Sequence, residues 1–125
     1  MDQVQITDTN KGVHLYTSLD TALNLDSSSS TVDGAAWFEI DPVGQQVTHQ
    51  GYVGVAGVNL LYPSLMVTNS REMALGFSMT SPTLNPSTGY VFGKASSYKF
   101  GDVQVTQEGT GAHVSFSPVL FGQPR

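Results

Sequence analysis

Between Met73 and Thr80 the chain alternates: Leu75, Phe77 and Met79 are bulky and apolar, whereas Ala74, Gly76 and Ser78 are small. A period of two marks a strand whose side chains point to opposite faces in turn. With one bulky face and one small face, such a strand can be covered on both sides. Four strands are predicted in this half of the chain. Tyr62-Pro63-Ser64-Leu65-Met66-Val67-Thr68 leads through the turn Asn69-Ser70-Arg71-Glu72 into Met73 to Thr80, and the two prolines of Ser81-Pro82-Thr83-Leu84-Asn85-Pro86 predict a break. Ser87 to Phe92 resumes with Tyr90 and Phe92 on one face, and Tyr98 to Gln107 closes the set at Glu108-Gly109.

The first half runs in the same order: Val4 to Thr7, Val13 to Leu19, Ala35 to Asp41 and Gln46 to Val53, with Pro42-Val43-Gly44-Gln45 as a turn. The match extends to residues. Val47-Thr48-His49-Gln50-Gly51 returns 58 residues later as Val105-Thr106-Gln107-Glu108-Gly109, and Val13-His14-Leu15-Tyr16-Thr17-Ser18-Leu19 returns after 60 as Met73-Ala74-Leu75-Gly76-Phe77-Ser78-Met79. Two coincidences in nearly one register are better explained as a repeat. Repeat one covers about residues 1–53 and repeat two about 62–109. A third, cut short, would occupy 110–125, where Val119-Leu120-Phe121-Gly122 follows Leu60-Leu61-Tyr62-Pro63 by 59 residues.

Repeated four-stranded antiparallel units with a bulky and a small face predict an all-β chain of two β-propeller-like blades and the start of a third, since blades stack face to face. An eight-stranded β-sandwich is the alternative. A propeller closes with about four to eight blades, so two blades call for the remaining blades of a longer chain or for self-assembly.

Composition narrows the partners. Of 125 residues, 39% are hydrophobic and 12% charged, with a net charge of -5 and no cysteine. That is enough apolar material for one core, and the absence of cysteine removes disulfide and thiol chemistry. Five basic residues spread singly form no phosphate-binding patch, which argues against nucleic acid and anionic membrane surfaces. No run approaches the roughly 18 apolar residues that span a bilayer, so membrane insertion is not expected. Low Lys with abundant Ser, Thr, Asn and Gln leans towards a secreted or cell-surface protein.

Gly34-Ala35-Ala36-Trp37-Phe38-Glu39-Ile40-Asp41, His49-Gln50-Gly51-Tyr52-Val53, Leu61-Tyr62-Pro63-Ser64-Leu65, Met73-Ala74-Leu75-Gly76-Phe77-Ser78 and Asn85-Pro86-Ser87-Thr88-Gly89-Tyr90-Val91 together resemble the repeat region of large secreted microbial proteins with sialidase-like propeller folds. The resemblance covers about residues 13–125 and implies blade architecture, a fragment of a longer protein and no particular catalytic set. Of the sialidase Asp-box Ser-x-Asp-x-Gly-x-x-Trp, Thr31-Val32-Asp33-Gly34-Ala35-Ala36-Trp37 lacks the residue between Asp and Gly.

Loops on a rigid scaffold are where a ligand would sit. Antiparallel order gathers Asp20 to Asp33, Gly54 to Leu60, Ser81 to Pro86 and Thr110 to Pro118 on one rim, making Asp20, Asp26, Asp33, Asn59 and Asn85 the candidate ligand-binding residues. Asp20, Asp26 and Asp33 with Ser27 to Ser30 offer only oxygen donors, so calcium is conceivable, although their spacing matches no EF-hand loop. His14, His49 and His113 lie too far apart for a ligand motif. Neither a Gly-x-Ser-x-Gly elbow nor a phosphate-cradling glycine loop occurs. Glu39 and Asp41 share a strand face, and paired carboxylates can hydrolyse glycosides, with Arg71 as a further participant. Two functions follow as expectations: a non-catalytic propeller segment presenting a rim to a glycan or protein, or an inactive fragment of a sialidase-like glycoside hydrolase.

Overall fold

The alternation along each strand is satisfied by two antiparallel sheets whose inner faces share one core, in a computed structural model that describes residues 4–9, 12–25, 30–94, 97 and 99–111. The first sheet is a meander of β1 (Val4–Thr9), β2 (Gly12–Leu23), β3 (Val32–Asp41) and β4 (Gln46–Val53). The second runs β5 (Asn59–Val67), β6 (Glu72–Ser81), β7 (Leu84–Lys94) and β8 (Lys99–Phe100), with β9 (Gln104–Gln107) pairing further along the same strand β7. β8 and β9 therefore share the fourth lane, and each half of the chain is a four-lane sheet. No barrel closes. A sandwich and two neighbouring blades have this arrangement in common.

Burial follows the alternation. On the second sheet Leu65, Val67, Met73, Leu75, Phe77, Met79 and Val91 turn inward, and on the first Tyr16, Ala35, Trp37 and Val53 meet them. Each Val, Leu, Met or Phe among them contributes about 1.5–3 kcal/mol by leaving water. β5 holds the layers together by packing across β2 and β3 and touching β1. Polar pins fix its path: Asn59 Oδ1 accepts from Asp33 N at 2.9 Å, Asp20 Oδ1 from Tyr62 N at 3.2 Å, and Ser18 Oγ donates to Pro63 O at 3.3 Å.

Of the two prolines expected to break the pattern, Pro82 does so in the turn between β6 and β7, whereas Pro86 sits inside a strand, as Pro63 was expected to and does. Pro63 lies in β5 where the register slips between Leu61 and Ser64, and Pro86 lies in β7 where it slips opposite Met79 and Ser81. A bulge leaves a residue outside the ladder, so a missing N–H costs nothing there. Tyr62, with φ of 55°, makes the left-handed step of the β5 bulge.

The rim expectation needs correcting for the same reason: strands run further than expected. Asp20 lies in β2, Asp33 in β3, Asn59 at the start of β5 and Asn85 within β7, so these four stand on strands and not on loops. Asp26 and residues 112–125, most of the expected third repeat, lie outside the described residues, as does His113.

Candidate functional site

The two halves carry the same bulge. Glu39 pairs with His49 and Ile40 with Val47, which leaves Thr48 as an extra residue on β4. Thr88 pairs with Gln107 and Gly89 with Val105, which leaves Thr106 extra on β9. In both, the bulge threonine donates to the carbonyl across from it, Thr48 Oγ1 to Glu39 O and Thr106 Oγ1 to Thr88 O, each at 3.1 Å. At the bulge Thr88 thus stands where Glu39 stands in the first sheet, while pairing with the preceding strand, Tyr16 with Glu39 and Gly76 with Tyr90, matches Glu39 to Tyr90.

In the first sheet this bulge builds a cluster. Regular alternation would turn only one of Thr48 and His49 towards Glu39, and the extra residue lets both reach it. Thr48 Oγ1 donates to Glu39 Oε1 at 2.7 Å, and His49 Nδ1 lies 2.9 Å from the same oxygen. Tyr16, directly opposite on β2, donates its hydroxyl to Oε2 at 2.6 Å. Arg71 completes the set from the other sheet, with Nη2 3.2 Å from Oε2. It is delivered by the β5–β6 hairpin, where Arg71 N donates to Thr68 O and Glu72 N to Thr68 Oγ1, and where Arg71 takes a φ of 66° immediately before β6. That left-handed position is usually given to Gly or Asn.

Glu39 is 2% exposed, and each oxygen has two partners. Burial alone would raise its pKa, but the hydrogen bonds of Tyr16, Thr48 and His49 and the charge of Arg71 outweigh it, and the carboxyl is held down from 4.5 to about 2. Tyr16 moves the other way, from 10.0 to about 12, first because it is buried and then because the carboxylate holds its proton. A carboxylate so saturated has no lone pair left for a substrate and no proton to give.

These shifts set a pH signature. A lowered carboxyl stabilises the fold above its ordinary pKa of 4.5 and loses that contribution as pH falls towards about 2. A raised phenol stabilises below its ordinary 10.0 and loses that contribution as pH climbs towards about 12. Urea melts across both windows are expected to show stability falling at each end, with the acid slope reduced in Glu39→Gln and the alkaline slope reduced in Tyr16→Phe. Unchanged slopes would mean that the cluster is open to solvent.

The other candidate residues are placed apart from this cluster. Asp41 Oδ1 accepts from Val43 N at 3.0 Å and Gly44 N at 3.1 Å, so it shapes the β3–β4 turn. Asn85 Nδ2 donates to Gly109 O at 3.2 Å. Asp33 and Asn59 come together, Asp20 meets β5, and among the described residues no group of three His, Cys, Asp or Glu could hold a metal ion. Tyr16 and Thr48 were not singled out by the sequence reading. The one available signal was the threonine repeated within Val47-Thr48 and Val105-Thr106.

A cleft of about 530 Å³ opens where β4 faces β8 and the chain beyond it, lined among others by Trp37, Gly51, Tyr52, Lys99, Phe100 and Asp102. Trp37 forms its floor, edge-on to Phe100 with ring centroids 5.8 Å apart. Gly51 is required there, because a Cβ would stand 2.7 Å from Trp37 Nε1. The half-buried Phe100 beside one cationic and one anionic side chain suits a sugar ring or a short peptide better than a bare ion. No family model, curated protein or solved structure matches the chain. Among the described residues no helix is long and apolar enough to cross a membrane.

Proposed function

We propose that this chain is a non-catalytic, blade-like segment of a secreted or surface β-propeller protein, and that it takes a glycan or a protein segment at the cleft between β4 and the β8–β9 lane. The observation that carries this reading is the cleft itself, where the half-buried Phe100 stands beside Lys99 and Asp102. The saturation of Glu39 supports it further. Glu39, the most deeply buried carboxylate among the described residues, faces four internal donors and does not line that opening.

A glycan array and a protein pull-down, followed by amide-resolved NMR titration with any hit, test the reading. Shifts are expected at Gly51, Tyr52 and Lys99 to Asp102. Phe100→Ala is expected to weaken binding roughly tenfold, the worth of one aromatic contact of about 1.4 kcal/mol. Binding of nothing while a fluorogenic sialoside is hydrolysed would overturn it. That result would favour the second reading, a piece of a sialidase-like glycoside hydrolase, which draws on Glu39 and Arg71 being joined.

A further inference from the structure

Trp37 carries a donor that the fold leaves unused. The residue is 2% exposed, yet among the described residues nothing accepts a hydrogen bond from its Nε1–H. The nitrogen is not sealed from water either, since no fully buried side-chain nitrogen or oxygen among the described residues stands without a partner. Trp37 and Gly51 both line the cleft, and Nε1 lies against Gly51, so the donor opens at the cleft floor. An indole N–H donates one hydrogen bond and accepts none, and a buried one usually finds a partner. The floor therefore calls for an oxygen acceptor on whatever enters.

The walls beside that donor are the edges of the two sheets. Among the described residues β4 pairs only with β3, and the β8–β9 lane only with β7. Every second residue of an edge strand turns its N–H and C=O outward, where water or another strand takes them. Proteins commonly spoil such an edge with a charge, a proline or a bulge. In β4 the bulge at Thr48 spoils the Gln46 end, but Gly51-Tyr52-Val53 has none of the three. Gly51, Gly54 and Gly101 leave the main chain of the cleft unfenced. Lys99 and Asp102 bring one charge of each sign, so a neutral occupant complements the site.

We propose, resting on the cleft reading above, that the occupant is a neutral, extended peptide segment that adds to β4 as a strand along Gly51 to Val53 and supplies the acceptor for Trp37 Nε1–H. A glycan has hydroxyls for that nitrogen but no main chain to pair with a strand edge. Gly51 and Val53 share a face with Trp37 and Ala35, their buried partners on β3. Peptide residues paired with them point inward as well, and the one paired with Tyr52 points out. The residue beside Gly51 meets Nε1 and carries a side-chain oxygen, as Ser, Thr, Asn and Gln do. Two places along, the residue beside Val53 enters the part of the cleft lined by the half-buried Val55 and Val103 and is apolar. Main-chain pairing gives the affinity, and these two inward positions give the selection.

Panning random linear peptides displayed on phage against the whole chain, followed by NMR titration of synthesised hits, tests this. The chain has one tryptophan, so its indole Nε1–H gives a single resonance. Binders are expected to move that resonance together with the amides of Gly51 to Val53, and to share an oxygen-bearing residue two places from an apolar one. Changing the former to Ala is expected to weaken binding about fivefold, the worth of one hydrogen bond. N-methylation of a hit is expected to abolish binding at alternate positions and to leave it intact at those between. A library without a binder, an indole resonance that stays in place, or hits that tolerate N-methylation throughout overturn the proposal. A glycan that moves the same amides when no peptide does overturns it while keeping the cleft as a binding site, and silence from peptides and glycans alike removes both.

Discussion

Glu39→Ala is expected to lower the unfolding free energy by about 3–5 kcal/mol, the usual cost of removing one partner from a buried ion pair. Against a total of roughly 5–15 kcal/mol for a domain of this kind, that is a third or more of what holds it folded. The loss does not come from the missing carboxylate as such. Arg71, Tyr16, Thr48 and His49 would be left pointing at a void, and the guanidinium would sit between two sheets without its counter-charge. Replacing both charges, Glu39→Leu with Arg71→Met, is therefore expected to recover much of the loss, because neither desolvated charge then remains. Urea melts of the single and double variants decide it. A loss below about 1 kcal/mol for Glu39→Ala would place the pair in the energy range of surface ion pairs and end its role as the lock between sheets.

Trp37→Ala is expected to cost about 3–5 kcal/mol as well, through a different cause. Trp37 is 2% exposed and spans the layers, lying over Gly51 on β4 and edge-on to Phe100 on β8. Its removal takes away the contact that seats the short β8 lane, which pairs with β7 at Gly93 and Lys94 alone. Hydrogen exchange at Lys99 to Gly101 is expected to accelerate in this variant beyond the change in global stability. Equal acceleration everywhere would mean that the indole acts on the core as a whole and does not seat that lane.

The layout of strands was legible because it rests on local alternation. Leu75, Phe77 and Met79 on one side and Ala74, Gly76 and Ser78 on the other can be satisfied by little besides a strand covered on both faces. The repeat extended that reading to two four-lane sheets. The breaks in alternation were not legible. Pro86 read as an interruption, and only the pairing shows that a neighbouring bulge absorbs it. The Glu39 cluster was hidden for a related reason. Thr48 and His49 are adjacent, so a period of two sets them on opposite faces, and Arg71 is 32 residues from its partner. Glu39 and Arg71 had each been noticed for their chemistry, but distance along the chain concealed that one serves to neutralise the other.

The duplicated threonine bulge also says which part of that cluster is separable. The same kink, with the same hydroxyl closing on the opposite carbonyl, stands in both sheets, but it faces a carboxylate in one and Thr88 in the other. The backbone device thus persists without the ionic lock it serves at Glu39. It is a mounting point whose cargo differs between the two copies: a buried carboxylate held by four donors in one, an exposed pair of threonine hydroxyls in the other.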